Sequence, residues 1–182
     1  MNSRLSLGEE TSEISFRLED YDDIFSDFDI RQYSSRALSV DFLDEIKRAS
    51  RDKNDGGIDL TLHIPKEKRS KSHEVVIKER LVLHFKKHFH LFLKEKRQMM
   101  KMGIIMIIMG IICMLGATMV MFEGPSQRLF MSFFIVFLEP AAWFLLWEGM
   151  DQILFRSKKV SPDLDFYHKM ADARGKIHFK SY

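Results

Sequence analysis

Residues 102–122, MGIIMIIMGIICMLGATMVMF, and residues 129–147, LFMSFFIVFLEPAAWFLLW, decide the architecture of this chain. At about 1.5 Å of rise per residue, twenty helical residues cover the ~30 Å hydrocarbon core of a bilayer. Both runs reach that length, and only six residues separate them. The pattern predicts a membrane α-helical protein with a two-helix transmembrane hairpin. Its first helix covers 102–122, an external loop 123–128 and its second helix 129–150. One carboxylate, Glu139, stands near the middle of the second run, and Pro140 follows it at once.

The chain around the hairpin is densely charged. Asp, Glu, Lys and Arg make up 30% of the 182 residues, which offsets the apolar runs and leaves a mean hydropathy of −0.17. The net charge of +2 conceals an asymmetry: residues 1–45 carry −8, residues 46–101 carry +9 and residues 102–182 carry +1. An acidic arm and a basic stem are each candidates for docking, including onto one another. The only cysteine, Cys113, lies in the first apolar run, so no intrachain disulfide framework exists. The first thirty residues lack the apolar core of a signal peptide, which leaves the first span as the internal targeting signal.

Before the spans, residues 1–13 are polar and read as a disordered N-terminus. Ile14 to Leu18 alternates apolar and polar residues, as a short strand does. In the acidic-aromatic segment that follows, Tyr21, Ile24, Phe25 and Phe28 fall at i, i+3, i+4 and i+7 and share one helical face. That face either docks a partner with a basic surface or belongs to the domain's own core. Ser39 reads as the N-cap of a helix from Val40 to Ser50, with Phe42, Leu43, Ile46 and Ala49 as its buried stripe. Asn54-Asp55-Gly56-Gly57 signals a turn, and Ile58 to Ile64 alternates cleanly until Pro65 ends the strand.

Residues 14–71 are thus expected to form a small α+β cytosolic domain. Ser72 caps a long helix in which Ile77, Leu81, Phe85, Phe89 and Phe92 recur every three or four residues. No Gly or Pro interrupts residues 72–101, which read as a basic amphipathic stem helix running into the first span. Residues 151–182 read as a cytosolic C-terminal tail, with an amphipathic stretch near Phe166 to Met170 and an apolar-basic end at Ile177 to Lys180.

Cations set the expected orientation. Lys86, Lys87, Lys94, Lys96, Arg97 and Lys101 precede the first span, Arg156, Lys158 and Lys159 follow the second, and the loop holds only Arg128. The positive-inside rule then puts both termini in the cytoplasm.

Glu139 is the foremost candidate functional residue. An ionised carboxylate near the bilayer centre costs about 2.5–3.5 kcal/mol on insertion scales, so such groups face a bundle interior or water, or take up a proton. No Lys or Arg occurs in 102–122 to neutralise it. Antiparallel pairing about the loop sets Glu139 near Ile111 to Cys113, and Pro140 withdraws the donor that the Val136 carbonyl would otherwise accept from. The functional reading is a pore-lining or protonatable ring in an oligomer; the structural one is packing through a protonated carboxyl. Trp143 and Trp147 follow at steps of four and read as interface anchors. Gly103, Gly110 and Ala117 recur every seven residues, with Cys113 and Gly116 nearby, as helix-packing positions.

Other chemistry is weakly signalled. His84 and His88 share a helical face, yet no Cys stands nearby, and a solvated basic helix against anionic headgroups is the stronger reading. A calcium loop starting at Asp20 fails, because its fifth and sixth positions are Ile24 and Phe25. The chain carries no phosphate-cradling glycine loop, nucleophile elbow, His-Glu-x-x-His motif or paired cysteines. The expectation is a non-enzymatic protein without cofactor, metal or nucleic-acid partner.

The run Phe137-Leu138-Glu139-Pro140-Ala141-Ala142-Trp143-Phe144 with Trp147-Glu148-Gly149-Met150-Asp151, and Ser39 to Arg48 with Ile64-Pro65, resembles a family of small bacterial inner-membrane proteins. These have two transmembrane helices and a cytoplasmic N-terminal domain. The resemblance implies topology and a bacterial inner membrane, and brings no known activity. Two spans bury little surface alone, and Glu139 lacks a partner, so a homo-oligomer is expected. The leading function is a channel-like or effector assembly gated by the cytosolic domain. The alternatives are a membrane-anchored adaptor recruiting a protein through its cytosolic domain, and an accessory subunit of a larger membrane complex.

Overall fold

The alternating stretch Ile58–Ile64 forms the centre of a three-stranded sheet. This strand, β2, is flanked by β1 (Ser12–Arg17) and β3 (Ile177–Ser181), and both pair with it in parallel. Helix α1 (Val40–Arg51) crosses from β1 to β2; α2 (Lys71–Phe122), α3 (Leu129–Asp151) and α4 (Ser157–Ala171) lie between β2 and β3. The structure is a computed structural model that describes residues 12–51, 58–122, 129–171 and 177–182. The chain divides into two compact units, Met1–His90 with Leu164–Tyr182, and Leu91–Asp163.

In the first unit, Ile58, Leu60, Leu62 and Ile64 of β2 are all fully buried. They share one core with Phe42 and Ile46 of α1, Ile77, Leu81 and Phe85 of α2, and Phe166 and Met170 of α4. Burying one such side chain stabilises by about 1.5–3 kcal/mol. The other sheet face is polar. Buried Thr61 donates to Glu13 at 2.7 Å, and the Lys180 ammonium joins the same carboxylate at 3.0 Å.

The pairing of β3 with β2 corrects two expected boundaries. Residues 164–182 are not a tail but part of the first unit, and the domain is not confined to 14–71. Leu62 has two parallel partners, Phe16 on one side and Phe179 on the other. A parallel pair needs a long crossover, and here the whole apolar hairpin sits inside that crossover. The helical stem is not a separate element either: α2 starts at Lys71, and its residues up to His90 belong to the first unit. The α+β expectation holds coarsely, as a mostly helical chain with a small sheet. Ser12 and Glu13, expected to be disordered, lie in β1, while residues 1–11, the 54–57 turn and the 123–128 loop lie outside the described residues.

The second unit contains the apolar hairpin. It has two helices long and apolar enough to cross a membrane. Gly103 and Gly110 of α2 are buried; Met106, Ile107, Cys113, Gly116 and Ala117 are half-buried, and Ile104, Ile108, Ile111 and Ile112 are exposed. The seam therefore follows the seven-residue recurrence of small residues. α3 stays helical through Pro140 and α4 through Pro162. Between them the backbone widens into a π turn over Gln152–Arg156, the kind of one-turn insertion that often marks functional sites.

Candidate functional site

Helix period decides where Glu139 points. On α3 the inward positions are Ile135, Leu138, Ala142, Leu145 and Gly149, with Ala142 and Gly149 buried and the rest half-buried. Glu139 comes one residue after Leu138, which turns it about 100° away from the seam. It is exposed, as are Pro140, Trp143 and Trp147. Trp143 is 60% and Trp147 67% exposed, so the step-of-four spacing does place the carboxylate and both indoles on one outward face. Glu139 makes no hydrogen bond or ion pair with any described residue.

The level of Glu139 along the hairpin differs from the sequence expectation. A Cβ on Gly110 would meet Leu146 and the Ala142 carbonyl, and one on Gly116 would meet Leu138 at 3.6 Å. These pairings set Glu139 opposite Leu115 rather than Ile111 to Cys113, because close glycine contacts and not the loop midpoint fix the register. Further along α3 the acids are neutralised: Arg156 reaches Glu148 and Asp151, each at 2.8 Å. Glu139 lacks any such cation among the described residues.

In the first unit the acidic-aromatic segment separates into two parts. Tyr21 to Ile24 is a 3-10 turn rather than one and a half turns of α-helix reaching Phe28, closed by a capping box between Asp20 and Asp23. Tyr21, Ile24 and Phe25 are buried in the core, so they are not available to dock a partner. The Tyr21 hydroxyl accepts from the Ser70 amide at 2.9 Å and donates to Glu74 at 3.2 Å. Phe28 is 99% exposed and alone of the four remains a docking candidate. The aspartates work locally: Asp23 accepts from the Glu19 and Asp20 amides, and Asp20 pairs with Lys68 at 3.1 Å. A cavity of about 540 Å³ nearby is lined by Asp22, Arg31, Tyr33, Arg36 and His73. Its guanidiniums are paired with Asp29 and Asp22.

The histidine pair is not a solvated basic face. His84 and His88 lie with ring centroids 4.2 Å apart, and His88 stacks on Tyr167 of α4 at 5.2 Å. Burial, then the cationic neighbours His88, Arg80 and Lys87, pull the His84 pKa down to about 4. Its Nε2 is buried without a hydrogen-bond partner. Among the described residues no three His, Cys, Asp or Glu side chains gather as a metal site.

The exposure of Ile30, at 97%, was missed in sequence, since nothing in its spacing separates it from Ile24. No family model matches this chain, and neither a curated protein nor a solved structure matches it. The likeness seen in Phe137 to Asp151 and in Ser39 to Arg48 with Ile64-Pro65 therefore brings no function to this chain.

Proposed function

We propose that this chain is a non-enzymatic two-pass protein of the inner membrane, with both termini cytoplasmic. Its hairpins assemble into a homo-oligomeric, channel-like structure in which Glu139 faces its own copies and the cytosolic unit gates the assembly. The outward, unpaired Glu139 carries this reading. Facing hydrocarbon it would be costly, whereas facing other copies it lines a shared polar centre. The α2–α3 seam is taken by Leu138, Ala142 and Gly149 against Gly116, Gly110 and Gly103, and Glu139 stands off it. Residues on both sides of the hairpin join one sheet, which supports an even number of crossings. The cations flanking both apolar runs support the cytoplasmic side.

Native mass spectrometry of the full chain in mild detergent should give one discrete oligomer. In proteoliposomes, Glu139→Gln should alter ion flux or its pH dependence. Unchanged conductance in that variant eliminates the lining role, and a monomer eliminates the self-assembled pore.

A further inference from the structure

Loop 26–37 is tied together by hydrogen bonds, yet it directs Phe28 and Ile30 into solvent. Its ends are joined by the Ser26 amide, which donates to the Ala37 carbonyl at 2.9 Å, and by an antiparallel bridge between Phe25 and Leu38. Inside it, Asp29 accepts from the Ala37 amide at 2.7 Å and from the Arg31 guanidinium at 2.7 and 2.9 Å. Arg36 donates to the Ser26 carbonyl at 3.1 Å, and Tyr33 stacks on Phe25 at 5.1 Å. At the tip, Phe28 and Ile30 are 99% and 97% exposed, and Asp27 beside them is exposed and unpaired among the described residues. A loop ordered in advance loses little entropy on binding, and apolar anchors entering a pocket dominate interface energetics.

A matching receptor lies on α2. Val75, Lys78, Glu79, Val82, Leu83 and Lys86 line a groove of about 400 Å³. Val75 and Leu83 are 59% and 62% exposed, so its floor is apolar and open. Lys78 and Lys86 flank it, and neither has an ion-pair partner among the described residues. An apolar tip with an acidic flank thus has its complement in the same polypeptide, an apolar groove whose rim carries Lys78 and Lys86 against the single carboxylate of Glu79 and so is basic by one net charge. Both are open, so within one chain they do not meet.

We propose that loop 26–37 of one copy docks through Phe28 and Ile30 into the α2 groove of a second copy, with Asp27 facing Lys78 and Lys86. This rests on the self-assembly reading above and names the contact between the copies. Because donor and acceptor are different surfaces, the contact is head-to-tail and closes into a ring or continues as a filament. Confinement in one membrane raises the effective concentration and lets a small contact suffice.

The test uses full chains carrying Cys113→Ser, with F28C on one tagged copy and L83C on a second, co-expressed and oxidised in the membrane. The mixed disulfide should exceed disulfide from either variant alone by at least tenfold. Asp27→Lys should reduce it about tenfold, and adding K78E and K86E on the partner should restore it. An oligomeric mass without the mixed disulfide overturns this contact and leaves the Glu139 assembly standing; a monomeric mass overturns both. In a control chain that carries both F28C and L83C, a disulfide that forms only within the chain and not between copies overturns the contact. So does crosslinking that places residues 1–11 or a co-purified protein in the groove.

Discussion

Gly103 and Gly149 meet backbone to backbone across the apolar hairpin. A Cβ on Gly149 would lie 2.7 Å from the Gly103 carbonyl oxygen, and one on Gly103 would lie 2.8 Å from that of Gly149. Helices in lipid gain no hydrophobic drive toward each other and rely on such close approach. Gly149→Ala should therefore destabilise by about 1–3 kcal/mol, the usual cost of overpacking. Gly116→Ala meets only Leu138 at 3.6 Å, an ordinary contact, and should be neutral or stabilising. Thermal unfolding by circular dichroism in mild detergent separates them. Equal melting of the two variants would remove the glycine contact from the account of hairpin stability.

Acid should loosen the first unit through its histidines. His84 has an ordinary pKa of 6.5 when unfolded and about 4 when folded, because burial and neighbouring cations oppose its charge. The unfolded chain binds the extra proton between those values, so stability is full above about pH 6.5 and falls as pH drops toward 4. His88 is shifted in the same direction, chiefly by burial. Asp29 is held well below the usual carboxylate range by Arg31 and the Ala37 amide, so its stabilisation is intact at pH 5 and is lost only as pH falls below about 3.8. Melting temperatures at pH 7.5 and 5 should differ less for His84→Phe than for the native chain. Parallel shifts would place the acid sensitivity elsewhere.

Removing residues 177–182 should unfold more than a tail. β2 would lose its parallel partner from Leu60 to Ile64, and the Ile177 side chain would leave the core. Hydrogen exchange at the amides of residues 58–64 should accelerate by at least tenfold in the truncated chain. Exchange equal to that of the full chain would make β3 dispensable.

Local chemistry made much of this legible. β2 alternates over seven residues and ends at a proline, and α1 has an N-cap and an amphipathic stripe, so both stand where the pattern puts them. The heptad of small residues marked the hairpin seam, and the step of four marked the outward Glu139–Trp143–Trp147 face. β3 was not legible as a strand, because its partner lies more than a hundred residues upstream and its only buried side chain is Ile177. The helical spacing of Tyr21, Ile24, Phe25 and Phe28 misled because the 3-10 turn stops at Ile24. Beyond it the bridge between Phe25 and Leu38 releases Phe28 into the loop.

Two α2 residues two positions apart should respond oppositely to truncation. Phe85 is fully buried and meets Phe166 edge-on at a centroid distance of 6.1 Å. Phe85→Ala leaves a cavity between α2, α4 and the sheet and should cost about 3–5 kcal/mol. Leu83 is 62% exposed, and Leu83→Ala should stay within about 0.5 kcal/mol of the native chain. Denaturant titration of the full chain in mild detergent measures both. A large loss for Leu83→Ala would mean that this side chain packs inside its own unit, which would close the groove to any second copy. A native-like midpoint combined with a smaller assembled mass would make Leu83 a contact residue and nothing else.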